Sequence, residues 1–248
     1  MRHLLIGLLF ISCNNFYKTN NTSAQSIYSS VFKSYQVTAK PEIFETAFFA
    51  GTQVDVDSFH LSFYSVDIGK INIESGKIIA SDPIEVRDMN PFVQDFPIGQ
   101  FPVQLAIAKF SGDERVAFSR ILFSDKPVVK WEFALQKGQE QASIFGDTMY
   151  GYGVDGGTGL FADEKANEAF TELEKKDENL WQQVFIHEMQ KHSHMTWNYA
   201  LYNFNGHNIA TFSTGLGDGH YATYVGYDEK GNICRLLTDF NLVGWWQK

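Results

Sequence analysis

Phe101-Pro102-Val103-Gln104-Leu105-Ala106-Ile107-Ala108 sets a large apolar side chain at every second position and a small or polar one between. Successive side chains of an extended strand point to opposite faces, so this period of two predicts a strand with one buried face. The same period runs outward in both directions. Upstream, Ile71 and Ile73 alternate with Asn72 and Glu74, and Ser75-Gly76 separates them from Lys77-Ile78-Ile79-Ala80, which reads as a hairpin closed by Asp82-Pro83. Downstream, Arg115–Phe123 and Pro127–Leu135 are strand candidates, the latter with Val129, Trp131 and Phe133 on one face. Such patterning predicts antiparallel sheet covered on one side and open to water on the other.

Only one stretch breaks this period. From Asp163 to about His192, apolar residues at Ala166, Ala169, Phe170, Leu173, Leu180, Trp181, Val184 and Phe185 fall at helical spacing. Asp163 and Glu164 suit its first turn, where backbone N–H groups lack partners, and the sequence leaves a break near Asp177-Glu178-Asn179 open. Strands return at Trp197–Phe204, Ile209–Ser213, Tyr221–Tyr227 and Ile233–Phe240, the last two joined by the turn Asp228-Glu229-Lys230-Gly231. The fold class expected is α+β, predominantly antiparallel β-sheet of sandwich type, with one long helical segment around 163–192.

Composition narrows the function. The 248 residues are 44% hydrophobic and 15% aromatic, enough for a substantial core. Lys and Arg number 20 against 29 Asp and Glu, a net charge of −9, which disfavours a nucleic-acid partner. Two cysteines, Cys13 and Cys234, are too few for a disulfide framework or a thiolate metal site.

The N-terminus reads as an address. Arg2 and His3 precede the apolar run Leu4 to Ile11, far short of the ~20 residues of a membrane span. Phe10-Ile11-Ser12-Cys13 resembles the lipobox of bacterial lipoproteins, in which the cysteine is acylated and becomes the new N-terminus. Residues 1–12 are therefore expected to be a signal peptide, with lipidation at Cys13. The Asn/Ser/Thr-rich residues 13–35 are expected to be a tether, and 45–248 a single domain. The location implied is the bacterial cell envelope, with the lipid in the outer membrane and the domain facing the periplasm or the cell surface.

Several chemical motifs fail on spacing. Gly151-Tyr152-Gly153-Val154-Asp155-Gly156 spells G-x-G-x-x-G, but no helix opens at its last glycine, as pyrophosphate binding requires. His187 and His192 lie five apart, about 500° of helical rotation, and so diverge rather than chelate. Cys234 lies inside a strand and reads as a small buried hydrophobe.

Two loops remain. One runs Asp155-Gly156-Gly157-Thr158 towards Asp163, and the other is Gly215-Leu216-Gly217-Asp218-Gly219-His220. Glycine permits sharp turns and close approach to a ligand. Gly156, Gly157, Thr158, Gly217, Gly219 and Tyr221 are therefore the ligand-binding candidates. Asp155, Asp163, Asp218 and His220 are the acid–base candidates, and the three carboxylates also form a candidate Ca²⁺ set. No cofactor is otherwise expected. The same loops read equally as Asp-Gly turns with a purely structural role.

Four stretches carry a family likeness: Ser75–Pro83 (SGKIIASDP), Phe96–Phe110 (FPIGQFPVQLAIAKF), Gly151–Asp163 (GYGVDGGTGLFAD) and Thr211–Phe240 (TFSTGLGDGHYATYVGYDEKGNICRLLTDF). They resemble the bacterial family DUF4241, a domain of unknown function, with Leu216 standing where members carry Trp. The resemblance implies one domain from about residue 45 onward and supplies no mechanism. The function expected is a lipid-anchored envelope protein acting as a binding or protective module, accessory or immunity-like, for a protein or glycan. The alternative is a carboxylate- or metal-dependent hydrolase of an envelope glycan or peptide.

Overall fold

The structure is a computed structural model that describes residues 41–177 and 179–246. The expected signal peptide, Cys13 and the tether lie outside the described residues. Within them the chain forms a short helix α1 (Ile43–Thr46), then β1 (Gln53–Val56), β2 (Phe59–Ile73), β3 (Ile78–Ser81), β4 (Gly99–Phe110), β5 (Asp113–Leu122) and β6 (Lys130–Phe133). After β7 (Tyr152–Val154) and β8 (Thr158–Asp163) comes the helical region, α2 (Glu164–Glu174) and α3 (Leu180–Gln182), the latter running into a π-helical turn at Gln183–Glu188. The chain closes with β9 (Tyr199–Phe204), β10 (His207–Ser213), β11 (Gly219–Tyr221), β12 (Thr223–Tyr227) and β13 (Ile233–Asp239).

A seven-stranded sheet in the order β1-β2-β4-β5-β13-β12-β6 packs on a four-stranded sheet β3-β8-β10-β9, and β7 pairs with β11 as a small ribbon. Each strand pairing is antiparallel. The expected α+β class with dominant antiparallel sheet is the architecture observed.

The period-two face read from Val103, Leu105 and Ile107 lies in the core between the sheets, against Ala80, Phe161, Ala210 and Phe212. The opposite face is not open to water, contrary to the sequence expectation. Ala106 and Ala108 are fully buried there, in a second cluster with Phe44 of α1, Phe118, Trp131, Phe133, Tyr224 and Trp245. Alanine is small enough for the aromatic rings of α1 and the C-terminal segment to settle on it. A third cluster joins Ile79, Leu160, Ala162 and Ile209 of the smaller sheet to Ala166, Phe170, Val184 and Phe185 of the helical region. The molecule is thus a sandwich with cover on both outer faces.

Two further expectations change. The helical stretch is two pieces, since the first ends at Glu174 and the next starts at Leu180. The Ser75-Gly76 turn does not close a hairpin. β2 pairs with β1 and β4, whereas β3 pairs with β8 in the other sheet, so the turn carries the chain across the sandwich. Asp163 fixes that crossing. Its Oδ2 accepts from Glu74 N (2.9 Å), Ser75 N (2.9 Å) and Ser75 Oγ (2.8 Å), while its Oδ1 accepts from Lys165 N (3.0 Å) and caps α2. The hairpin at 228–231 forms as expected, with Gly231 at φ 78°.

Candidate functional site

The two glycine/aspartate loops meet. β8 and β10 are paired, and their register sets Thr158 opposite Ser213. The β7–β11 ribbon sets Val154 opposite Gly219 and Gly153 opposite His220. The loop of 155–157 and the loop of 214–218 therefore leave adjacent strands on the same side. Thr214 N donates to Gly157 O at 3.1 Å, and Gly157 N donates to Asp218 Oδ1 at 3.2 Å. Gly157 holds φ 60°, the left-handed conformation that glycine adopts without strain, while a β-carbon there would meet only the Gly217 α-carbon at an ordinary 3.7 Å. We refer to this arrangement as the mouth.

A carboxylate directly after β3 builds one wall. Asp82 is 1% exposed. Its Oδ2 accepts from Asp155 N (2.8 Å) and Gly156 N (3.0 Å), and its Oδ1 accepts from Ile84 N (2.8 Å). The signal in the sequence was Asp at the end of a strand and before Pro, where the side chain bonds the backbone two residues on.

The second wall is held by Tyr221. This side chain is buried and curls under its own turn, donating its hydroxyl to Gly217 O at 2.7 Å. Gly219 leaves the space the ring occupies, since a β-carbon there would come within 2.8 Å of it. Burial pushes the Tyr221 hydroxyl up to about 12, so it stays a proton donor at neutral pH. Thr214 Oγ1 donates to the same carbonyl at 2.9 Å, and Thr158 Oγ1 bonds Gly156 O at 3.3 Å. Tyr221 and Thr158, both expected to bind ligand, thus hold the loops in shape.

What faces outward is different. Asp155, Gly156, Leu216, Asp218, Gly219 and His220 are all exposed, Leu216 to 69%. Ile84 stands beside them, 59% exposed, with its Cδ1 3.2 Å from where a Gly156 β-carbon would lie. Asp163 does not join this group. It sits at the far end of β8, about 17 Å from Thr158 at the usual strand rise, fully buried among four donors. The set Asp155, Asp163 and Asp218 is therefore not gathered at one point. Among the described residues, no group of three or more His, Cys, Asp and Glu side chains is placed to hold a metal ion.

Cys234 is buried, its thiol pushed up to about 11 chiefly by that burial. His187 is exposed, and His192 stacks on Tyr199.

The sequence profile of the family described as "Protein of unknown function (DUF4241)" matches residues 71–238. The chain belongs to the DUF4241 family. The matched stretch starts inside β2 and ends inside β13, so it takes in both loops of the DUF4241 mouth and the strands that bring them together. It leaves out β1, at the edge of the larger sheet, and both α1 and the C-terminal segment, which cover that sheet's outer face. No curated protein and no solved structure matches this DUF4241 chain.

Proposed function

We propose that this DUF4241 protein is a lipid-anchored binding protein of the bacterial envelope, with the mouth as its contact surface for a protein partner. One observation carries the reading. The buried polar groups of the mouth (Asp82, Tyr221, Thr214) are turned onto its own backbone, while Leu216, Ile84, Asp155, Asp218 and His220 are turned to solvent. A loop pair held this way is ordered before it binds, which lowers the entropic cost of association. An exposed Leu and Ile beside two exposed carboxylates, Asp155 and Asp218, suit a partner with an apolar spot next to basic groups. The net charge of −9 draws such a partner in. A protective role, accessory or immunity-like, follows if the partner is disabled or stabilised by being held. Hydrolysis by the loop carboxylates has less support, because Asp163 lies a strand length away from Asp155 and Asp218.

The address rests on the sequence around Cys13. No helix among the described residues is long and apolar enough to cross a membrane. A photo-reactive side chain placed at position 216 of the full chain, in its native membrane, is expected to yield one discrete protein adduct. That adduct should be lost in the Asp155→Asn/Asp218→Asn double variant. Illumination without any protein adduct, or an adduct indifferent to both carboxylates, overturns the assignment. The Cys13→Ala chain is expected in the soluble fraction, with the wild type in the membrane fraction.

A further inference from the structure

A cleft lies at the turn between β4 and β5. Ser111 and Gly112 both take positive φ, 49° and 84°, and so make a two-residue hairpin turn. That turn sets Lys109 opposite Glu114 and Phe110 opposite Asp113. β2 runs alongside, with Ser62 opposite Lys109. The segment after the helical region comes in from the other side and is tied down by Thr196 Oγ1, which donates to Asp113 Oδ1 at 2.6 Å and also contacts Glu114 O. Between them is an open cleft of about 400 Å³, lined by His60, Ser62, Lys109, Phe110, Glu114 and Met195 among others. That is within the usual size of small-molecule sites, about 300–1,000 Å³.

Glu114 stands at its back, 5% exposed. Its Oε2 accepts from Tyr64 Oη at 2.6 Å and Trp197 Nε1 at 3.3 Å, with His194 Nε2 at 3.1 Å, while Oε1 faces the ammonium of Lys109 at 3.3 Å. Burial alone would push this carboxyl up, but the hydrogen bonds from Tyr64, Trp197 and Lys109 outweigh it and hold it below the usual range. Burial and the contact with Glu114 push the Tyr64 hydroxyl well up, so Tyr64 remains the donor. The carboxylate is buried and ionised, and its partners are side chains of β2, β4 and the 194–197 turn rather than backbone groups. Its acceptor Oε1 lies beside a donor, Lys109 Nζ, and both residues line the cleft.

The charge pattern selects the ligand. An anion would meet Glu114 and Asp113, and a cation would meet Lys109 already in place. Asp113 is in turn paired with Arg115 at 2.8 Å. A neutral polyol gains from both charges of the Lys109–Glu114 pair. One hydroxyl donates to Glu114 Oε1 and its vicinal neighbour accepts from Lys109 Nζ, across a gap close to the separation of two vicinal oxygens. Met195 offers apolar surface for the C–H face of a ring, and Ser62, Ser111 and His60 offer further polar contacts. We propose that this cleft binds a neutral pyranose sugar, with Lys109 and Glu114 as the pair that reads its vicinal hydroxyls. None of the residues lining the cleft belongs to the mouth, and the proposal does not rest on the reading given for it.

Trp197 provides the reporter, being buried with its indole N–H on Glu114. Glucose, galactose, mannose and N-acetylglucosamine are each titrated into the full chain, with the Trp197→Phe chain as the spectral control. A saturable fluorescence change is expected for at least one sugar, at a Kd near or below about 10 mM. Lys109→Met is expected to weaken that Kd about tenfold or more in a chain that still unfolds cooperatively well above the titration temperature, the lost partner of Glu114 lowering the unfolding midpoint only in part because Tyr64 and Trp197 still hold the carboxylate. Leu216→Asp should leave it unchanged. Three results overturn the proposal: no saturable change for any of the four sugars up to about 100 mM, sugar binding unaffected by Lys109→Met, or saturation by inorganic phosphate or tetramethylammonium with none by the sugars.

Discussion

The mouth and the cleft each contain buried carboxylates, but their donors differ in kind. At the mouth, Asp82 accepts from three backbone N–H groups. Asp163, at the other end of β8, accepts from three more and one hydroxyl. In the cleft, Glu114 is surrounded by Tyr64, Trp197, His194 and Lys109 side chains. Backbone donors cannot leave without unmaking a turn or a helix end, so a carboxylate they surround belongs to the architecture. Side-chain donors can swing aside, and Lys109 is exposed enough to do so. The difference separates carboxylates that shape this fold from one that can answer to a ligand.

Isosteric amide substitutions break the comparison most directly. In Asp163→Asn the amide NH₂ must face donors whichever way it is turned, because both oxygens accept from fixed groups. The expected loss is about 3–4 kcal/mol, or roughly 10 °C in Tm for a domain of this size. In Glu114→Gln the NH₂ can take the Oε1 position, where Lys109 is able to move away, so about 1 kcal/mol is expected. Denaturant unfolding of the two variants decides it. Equal losses would mean that Glu114 is as architectural as Asp163.

Much of the sandwich was legible because large side chains carry it. Val103, Leu105 and Ile107 announce their face by themselves. Ala106 and Ala108 do not, since alanine suits either face, and their cover comes from Phe44 and Trp245, far away in sequence. Two turns show the same limit. Asp228 and Gly231 form a hairpin and look like one. Ser75-Gly76 has equally good turn chemistry, yet it crosses between sheets because Asp163, 88 positions on from Ser75, holds it. The loops of the mouth stand out by composition alone, but their meeting depends on the β8–β10 and β7–β11 registers. Glu114 left no trace, because an acid beside a Ser-Gly turn ordinarily faces water. Here Tyr64, 50 positions before it, and Trp197, 83 after it, bury it.

Asp239 sharpens the comparison from between the two extremes. It is buried and has one donor of each kind, Asn241 N at 2.9 Å and Trp245 Nε1 at 2.7 Å. Burial outweighs both and pushes the carboxyl from an ordinary 3.8 up to about 7. The folded chain then keeps a proton that the unfolded chain gives up between about pH 4 and 7. The stability from this group is therefore greatest at acid pH and declines as pH rises to about 7, after which the loss is constant. Between pH 5 and pH 8 the change is about 2–3 kcal/mol. Asp239→Asn cannot titrate. Its unfolding free energy relative to wild type should improve by about that amount on going from pH 5 to pH 8, as denaturant titrations at the two values would record. A constant difference would place the carboxyl in a wetter setting than its burial indicates.

The smallest effect is expected at the mouth itself. Asp218 is exposed, and its contact with Gly157 N uses one carboxyl oxygen that asparagine also supplies. Asp218→Asn should therefore change stability by less than about 0.5 kcal/mol and leave hydrogen exchange in residues 155–158 unaltered. The exposed carboxylates of the mouth then act only on what approaches from outside, through charge that asparagine lacks. A loss above about 2 kcal/mol, or faster exchange across 155–158, would instead class Asp218 with Asp82 and Asp163. That outcome would reduce the outward surface of the mouth to Asp155, His220 and two aliphatic side chains, too little charge to select a basic partner.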